Sequence, residues 1–413
     1  MKILVAWLGV ATALFAQTRN PAESVEAARK GPESAAMKQL AAGMTAPTEV
    51  SVWGQDYLFL ARADAPVTVS IDLQPQTPLA RVDANHWMML TKMRTGVLHQ
   101  YQFYAAGKPL SVRGDAIGYN PDSYPRPGVP HGKLSEKHTL TSKIFDGMKY
   151  DYWVYASPGV DPNVPAPLMV WQDGQTMEGE WSTYRLTTVT DNLVQQGLIP
   201  PMVHVMIAPG TSPDGRPMRS IEYDTVSDRY ARYLMEEVLP EVEKTYKLRQ
   251  DGYSRGIGGI SSGGICAFNA AWLMPDKFAR VHSGVGSFTS IQWRPQEKLD
   301  GGNVYPFTVR KEAKRNIRVW ASDGADDLEN QFGSWPMQAI QMANSLKLRE
   351  YDFHFRFGTA AHGGAQISLD LPESLTWLWR DYDPKKTAQE FTMEAAEKEM
   401  PFFRVTITNR PAW

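Results

Sequence analysis

Gly259–Gly264 reads Gly-Ile-Ser-Ser-Gly-Gly and has the form Gly-x-Ser-x-Gly around Ser261. In this pattern the serine lies on a sharp, strained turn between a strand and a helix, and its hydroxyl projects into a cleft. A side chain two residues before or after the serine would collide with the neighbouring strand or helix, so both positions hold glycine. The pattern predicts that Ser261 is a nucleophile. Ser262 is the rival, but it lacks a glycine two residues upstream.

The flanking sequence supports this prediction, which matters because a chance match is not rare in a chain with 32 glycines. Tyr253–Gly258 is typical of a strand that approaches the turn, and the apolar stretch Ile265–Met274 is typical of a helix. Pro275 and Asp276 follow and end that helix. Strand, turn and helix in this order are the context that the motif requires.

Strand and helix patterns alternate on both sides of the motif. Strands are predicted at 150–155, 167–172, 201–207, 317–321 and 351–357, and helices at 226–246 and 335–346. Such alternation predicts an α/β domain over residues 135–384, in which helices cover both faces of a mostly parallel sheet.

The residues before this domain have a different texture. Short alternating runs separated by Gly, Pro and Asp predict a small β-sandwich over residues 45–115. Residues 116–134 are rich in Pro and Gly and are predicted to be an extended linker. Residues 17–44 are interpreted as a loose or helical leader, and residues 385–413 as a charged C-terminal tail.

The N-terminus has the pattern of a secretory signal peptide. Lys2 precedes an apolar run from Ile3 to Ala16, which is too short for a comfortable membrane span. We therefore expect cleavage after Ala16, although Leu14 is not ideal at the −3 position; an uncleaved anchor is the alternative. The protein is then secreted or periplasmic, with no stable membrane insertion after cleavage. The single cysteine, Cys266, is interpreted as a small buried hydrophobe.

Charge excludes some classes of partner. The net charge is −2 and 21% of the residues are charged, with no basic stripe of the kind that binds nucleic acid. No nucleic-acid partner is therefore expected. The chain contains no metal-ligand cluster and no phosphate-binding glycine loop beyond the serine motif, so neither a metal nor a cofactor is predicted.

A nucleophilic serine needs a base and an acid that orients the base. In this fold class they follow the serine in the order acid, then histidine, each after a strand. Asp327 is the preferred acid because of its spacing from Gly324, and Asp326 is the alternative. His362, in a small-residue loop after the last strand, is the predicted base; its rival, His354, lies within that strand.

The tetrahedral intermediate of acyl transfer needs two N–H donors. One is the backbone amide of Ser262, the residue after the nucleophile. The other is expected in the loop after the 167–172 strand, where Gln175 is the first candidate and Gly174 the second.

With these residues placed, the chain resembles the putative-esterase family of α/β hydrolases, which includes enterochelin esterases, esterase D, and feruloyl and acetylxylan esterases. The matching segments, within Lys133 to Tyr382, are Gln172–Gly174, Arg219–Asp224, Leu239-Pro240, Gly259–Phe268, Asp323–Asp327, His362–Gly364 and Trp377–Trp379. The β-rich segment, through Gly96–Phe103, resembles the E-set modules that precede some of these esterases.

The resemblance implies an α/β-hydrolase domain behind an E-set-like sandwich, and ester hydrolysis through an acyl-enzyme on Ser261 with His362 as base and then acid. Together with export, it favours a small-molecule or polysaccharide ester, most of all feruloyl or acetyl esters of plant cell walls. A siderophore esterase is one alternative. A non-catalytic carbohydrate-binding protein with a hydrolase fold is the other.

Overall fold

The computed structural model of the protein describes residues 19–402. The signal peptide predicted for residues 1–16 and the last part of the tail, residues 403–413, lie outside the described residues. Between residues 19 and 402, no helix combines the length and the apolar character that a membrane span requires.

Two antiparallel sheets form an N-terminal module. Its strands are β1 (Thr48–Trp53), β2 (Asp56–Arg62), β3 (Val67–Ile71), β4 (Thr77–Pro78), β5 (Ala80–Arg81), β6 (His86–Lys92), β7 (Val97–Ala105), β8 (Lys108–Pro109) and β9 (Gly114–Gly118). One sheet has the order β1-β2-β6-β5; the other has the order β4-β3-β7-β8, and β9 pairs with β7. Phe59 from the first sheet and Phe103 from the second belong to one buried cluster, as the facing sheets of a sandwich require.

The leader is helical where it is described. Helices α1 (Pro21–Arg29) and α2 (Ala35–Ala42) begin at Asn20 and Ser34, whose side chains accept N–H groups of the first turn. Val25 and Met37 from these helices are buried with Leu58 and Leu60 of β2. The leader therefore packs onto the module.

The linker predicted for residues 116–134 differs from the structure at both ends. Ala116, Ile117 and Gly118 belong to β9, which pairs with β7, and the side chains of Ala116 and Ile117 are buried. At the other end, β10 (Lys133–Leu134) already pairs with the central sheet. The extended segment is shorter than predicted because both ends find strand partners.

The central sheet is mostly parallel, as predicted. Its further strands are β11 (His138–Thr141), β12 (Lys149–Ala156), β13 (Leu168–Gln172), β14 (Val203–Ile207), β15 (Arg255–Ile260), β16 (Arg280–Gly284), β17 (Arg318–Asp326) and β20 (Asp352–Ala361). The order is β10-β12-β14-β13-β15-β16-β17-β20, with β11 beside β12. The six strands β14, β13, β15, β16, β17 and β20 are mutually parallel, and β12 is antiparallel to β14. Outside this sheet, β18 (Glu329–Asn330) and β19 (Gly333–Ser334) form a small hairpin.

Helices cover both faces of the sheet. They are α3 (Leu186–Gln195), α4 (Arg219–Tyr223), α5 (Arg229–Tyr233), α6 (Leu239–Val242), α7 (Ser262–Leu273), α8 (Tyr305–Lys311), α9 (Trp335–Leu348), α10 (Ala365–Trp379) and, in the tail, α11 (Ala395–Glu399). Val170 is buried in a cluster with residues of α7 and α9, whereas its neighbour Trp171 is buried with residues of α3 and α10. Successive strand residues point to opposite faces, so the two clusters are the two layers of the core.

The helix predicted for 226–246 is interrupted. A π-helical segment, Leu234–Val238, lies between α5 and α6. Pro240 sits at the start of α6 and has no N–H to donate to the carbonyl four residues before it. The missing donor explains why the hydrogen-bond pattern shifts there.

Candidate active site

Ser261 occupies a strained turn between β15 and α7. Its φ and ψ are 55° and −120°, a conformation that non-glycine residues rarely adopt. A Cβ at Gly259 would lie 2.7 Å from the carbonyl carbon and oxygen of Gly263. A Cβ at Gly263 would lie 3.0 Å from the Cβ of Gln172 and 3.2 Å from Oδ2 of Asp173. Gly259 is therefore required by close backbone packing, and Gly263 leaves room for the side chains of Gln172 and Asp173.

The structure brings Ser261, His362 and Asp327 together in one hydrogen-bonded chain. The Ser261 Oγ lies 2.9 Å from Nε2 of His362, and Nδ1 of His362 lies 2.5 Å from Oδ1 of Asp327. A carboxylate accepts only, so Nδ1 carries the proton and Nε2 accepts from the serine hydroxyl. The Asp327 side chain is fully buried and that of His362 is 8% exposed, so bulk water does not compete for this pair.

Asp327 and Asp326 point to different partners. The backbone N–H of Asp327 donates to the carbonyl of Gly324, forming a turn that directs the Asp327 carboxylate to His362. The carboxylate of Asp326 instead receives hydrogen bonds from Gln100 and Arg113 of the N-terminal module. The rival base, His354, stacks on Trp320 with ring centroids 4.2 Å apart and lies away from this chain of contacts. The structure therefore brings Asp327 and His362, rather than Asp326 and His354, into one hydrogen-bonded chain with Ser261.

A second carboxyl group, Asp323, lies behind the acid. It is fully buried on β17, and its Oδ1 accepts the N–H of Gly324 at 2.7 Å. Burial raises the pKa of Asp323 well above its ordinary value, and the neighbouring Asp327 carboxylate raises it further. The raised pKa favours the neutral form of Asp323, and a neutral carboxylic acid can donate its hydrogen to a carboxylate beside it. No sequence pattern predicts a role for Asp323.

Trp335 and Ser287 complete the surroundings of the nucleophile. Nε1 of Trp335 donates to Ser287 Oγ at 3.1 Å, and Ser287 Oγ lies 3.3 Å from Ser261 Oγ. The backbone N–H of Ser287 also donates to the carbonyl of Ser261. Ser287 follows β16, and Trp335 is the first residue of α9. No local sequence motif marks either residue.

The residues of the two predicted amide donors, Ser262 and Gln175, line the same cleft as Ser261. Ser262 is the first residue of α7, so its N–H has no intrahelical acceptor and lies at the positive end of the helix. Asp173 has a left-handed φ of 59°, and it turns the chain into a short 3₁₀ segment, Gly174–Thr176. Gly174 is buried against the backbone of Ile207, whereas Gln175 is exposed and lines the cleft. Gln175 therefore fits the second donor better than Gly174.

Arg219 fixes this part of the site. Its guanidinium donates to both carboxylate oxygens of Asp173, at 2.7 and 2.8 Å, and to the Ser262 Oγ at 3.0 Å. A bidentate pair of this kind sets orientation as well as charge. Arg219 thus links the loop that carries Gln175 to the residue after the nucleophile. It lies in a segment that the family resemblance singled out, but the sequence alone indicated no role for it.

Glu222 adds an unusual acid next to this pair. The side chain is buried, and its Oε1 accepts the N–H of Gly210 at 2.7 Å, while its Oε2 has no hydrogen-bond partner within residues 19–402. Burial raises the pKa of Glu222 to about 8. A protonated Glu222 avoids a second buried negative charge beside Asp173.

The cleft in front of Ser261 has a volume of about 500 Å³. Part of its lining is apolar, and part is polar or charged. The apolar residues are Ile260, Ile291, Leu328, Phe332 and Trp335, and the polar ones include Asp173, Gln175, Thr176 and Arg219. Because Asp173 neutralises Arg219, the cleft carries no excess of positive charge.

Comparison with known proteins identifies similar chains. The model of a family described as "Putative esterase" matches residues 147–369, which is more than half of the chain. An enterobactin esterase from Shigella flexneri, solved in the presence of 2,3-dihydroxy-N-benzoyl-serine, is 16% identical with a TM-score of 0.57 over 84% of this chain and 99% of its own.

Two further structures are similar at comparable identity. A ferric enterobactin esterase from Salmonella typhimurium is 17% identical with a TM-score of 0.53, over 83% of this chain and 98% of its own. A feruloyl esterase module from Clostridium thermocellum is 18% identical with a TM-score of 0.48, over 66% of this chain and 98% of its own. The two enterobactin esterases share the overall fold, which is all that identities this low establish.

Proposed function

The chain belongs to the putative-esterase family, and from this premise we propose that it hydrolyses carboxylic esters through an acyl-enzyme on Ser261. The observation that carries the proposal is the continuous chain from Ser261 Oγ through His362 to Asp327, with both bonds at 2.9 Å or less. A serine hydroxyl is a poor nucleophile until a base takes its proton, and this arrangement provides the base in the correct tautomer.

The reaction follows from these positions. Ser261 Oγ attacks the ester carbonyl carbon while its proton passes to Nε2 of His362. The amides of Ser262 and Gln175 stabilise the negative charge that develops on the carbonyl oxygen. When the intermediate collapses, His362 protonates the departing alcohol and the acyl group remains on Ser261. Water then attacks the acyl-enzyme, its proton passes to His362, and the acid is released as Ser261 Oγ regains a proton.

For the substrate, we propose a feruloyl or acetyl ester of a plant cell-wall polysaccharide. The apolar lining residues, with Phe332 and Trp335 among them, suit an aromatic acyl group, because aromatic rings gain from stacked or edge-to-face contacts. The charge balance of Asp173 and Arg219 suits a neutral ester. Export, which the N-terminal sequence predicts, would bring the enzyme to such substrates outside the cell.

A siderophore ester is the second candidate. It is supported by the shared fold of the two enterobactin esterases, which extends over more than four-fifths of this chain. A polyanionic catecholate would gain from a basic cleft, and here the guanidinium of Arg219 is already paired with Asp173. This pairing places the siderophore second. A non-catalytic carbohydrate-binding role is disfavoured by the complete Ser261–His362–Asp327 chain.

The test compares three substrates: methyl ferulate, acetylated xylan and a catecholate siderophore. Wild type should hydrolyse methyl ferulate or acetylated xylan faster than the siderophore, and Ser261→Ala should lose at least about 10³-fold in kcat. Ser262→Ala is the matched control, because it keeps the backbone amide and should retain far more activity. Inertness towards all three esters, with no labelling of Ser261 by a fluorophosphonate, would overturn the esterase proposal. Preference for the siderophore would overturn the proposed substrate class only.

A further inference from the structure

The N-terminal module touches the ends of β17 and β20, the two strands that directly precede Asp327 and His362. Gln100 on β7 and Asp115 on β9 are directly opposite each other in the register of these two strands. Both side chains therefore project at the same level of the sheet, towards the ends of β17 and β20. A pair on adjacent strands is held more rigidly than residues on a loop.

Gln100 bridges the two catalytic strands. Its side-chain amide donates to Oδ2 of Asp326 at 2.9 Å and to the carbonyl of Thr359 at 3.0 Å. Asp326 ends β17 and Thr359 lies near the end of β20, where the register between these strands shifts. One side chain of the module thus ties together two strand ends at the point where their own pairing is irregular.

Asp115 and Arg113 add contacts on the same two strand ends. Oδ2 of Asp115 accepts the backbone N–H of Ala361 at 3.2 Å, and Nη1 of Arg113 lies 3.2 Å from Oδ2 of Asp326. Burial raises the pKa of Asp115, and the nearby Asp326 carboxylate adds to this, whereas Arg113 opposes it. The positive charge of Arg113 thus offsets the repulsion between the carboxylates of Asp115 and Asp326.

The residues that the module holds are next to the catalytic ones in sequence. Asp326 immediately precedes Asp327, and Ala361 immediately precedes His362. The backbone positions of Asp326 and Ala361 therefore fix the backbone positions of Asp327 and His362. A misplacement of about 1 Å can cost on the order of 100-fold in rate when reacting groups must meet in a defined geometry.

We propose that Gln100 and Asp115 are positioning residues for the Asp327–His362 pair, so that the N-terminal module is part of the catalytic unit of this enzyme. This inference rests on the proposed esterase function. Neither side chain touches the nucleophile, and both act through the strand ends that they hold.

The experiment uses the full chain, with methyl ferulate and 4-nitrophenyl acetate as esters. Gln100→Leu and Asp115→Ala should lower kcat about tenfold or more and leave KM within about twofold, because the substrate cleft itself is untouched. Asp115→Asn keeps an oxygen that accepts the Ala361 N–H and should recover most of kcat. Labelling of Ser261 by a fluorophosphonate should slow in parallel with kcat.

Gln102→Leu is the matched control. Gln102 is also half-buried on β7, two residues further along the same face, but its amide donates to the carbonyl of Ser111 within the module. Its kcat should equal that of wild type. Thermal unfolding shows which variants are folded, and Gln100→Glu, nearly isosteric but without a donor, replaces Gln100→Leu if the latter unfolds.

The outcomes are separable. Folded Gln100 and Asp115 variants with wild-type kcat would overturn the inference, and so would a rise in KM at constant kcat, which would make the module a substrate-binding element. Inactivity of wild type together with the absence of Ser261 labelling would instead mean that the proposed esterase function has failed.

Discussion

Trp335 packs edge-on against His362, with ring centroids 5.6 Å apart and ring planes at 77°. The same indole donates its N–H to Ser287 Oγ, which in turn lies beside Ser261 Oγ. A single buried side chain therefore contacts the base and, through Ser287, the nucleophile. The Ser287 oxygen accepts from the indole, so its hydrogen is free to point at Ser261 Oγ, and the Ser261 hydrogen then points at His362.

Removing the Trp335–Ser287 or the Ser287–Ser261 hydrogen bond should slow acylation. We expect Ser287→Ala to lower kcat/KM about fivefold, because one hydrogen bond of about 1 kcal/mol that orients the nucleophile is lost. Trp335→Phe keeps a ring against His362 and loses only the donor, so its effect should be similar to that of Ser287→Ala. The double variant should then be no worse than either single one, whereas additive losses would show that the two residues act separately.

The two adjacent aspartates should behave differently. Asp327→Asn leaves the fold intact but gives His362 the wrong partner, since the amide can donate to Nδ1 and favour the other tautomer. A loss of about 10⁴-fold in kcat is expected. Asp326→Asn keeps an oxygen for Gln100 and Arg113 and should cost at most about tenfold. Steady-state kinetics on one ester measures both, and equal losses would contradict the assignment of Asp327 as the acid.

Much of this site could be predicted from the sequence because its central residues obey local rules. The Gly-x-Ser-x-Gly turn, the Gly324-x-x-Asp327 turn and the histidine after the last strand each follow from a strand and its immediate continuation. Arg219, Ser287, Trp335 and Asp323 have no such signature. They come from separate segments, and only the packing of the folded chain brings them to Ser261.

The same distinction holds for the fold. Each strand predicted for the central sheet has a counterpart in the structure, and the runs at β13 and β14 are largely apolar. The helix predicted for 226–246 kept its apolar spacing but not its continuity, since Pro240 removes one backbone donor. The contact between the N-terminal module and the catalytic domain could not be predicted from local patterns, because Gln100 and Asp326 are 226 residues apart in the chain.

Substitutions of Asp323 test whether its neutral carboxyl group donates a hydrogen bond to Asp327. Asp323→Asn replaces the donating O–H by an amide N–H and keeps an oxygen for Gly324, so kcat should stay within about threefold of wild type. Asp323→Leu leaves the buried Asp327 oxygen without that donor. A hydrogen bond to a charged group contributes about 1.5–3 kcal/mol, so a loss of about tenfold or more is expected. Equal activity of the Asn and Leu variants would exclude the donor role.

Glu222 connects the site to the pH dependence of stability. Its pKa in the folded protein, about 8, is above the value of about 4.3 expected for an unfolded chain. The folded state therefore binds more protons than the unfolded state between these values, and the free energy of unfolding falls as pH rises through this window. Each pKa unit corresponds to about 1.4 kcal/mol. Glu222→Gln keeps an oxygen for the Gly210 N–H but cannot ionise, so it removes this contribution.

The measurement is the melting temperature of wild type and Glu222→Gln at pH 6 and pH 9. Wild type should lose more stability than the variant between the two values, and the variant should be the more stable protein at pH 9. Glu297→Gln is the control, because Glu297 lies on the surface and the substitution should leave the difference unchanged. If Glu222→Gln shows the same fall in melting temperature as wild type, Glu222 is not the buried acid that loses its proton in this range.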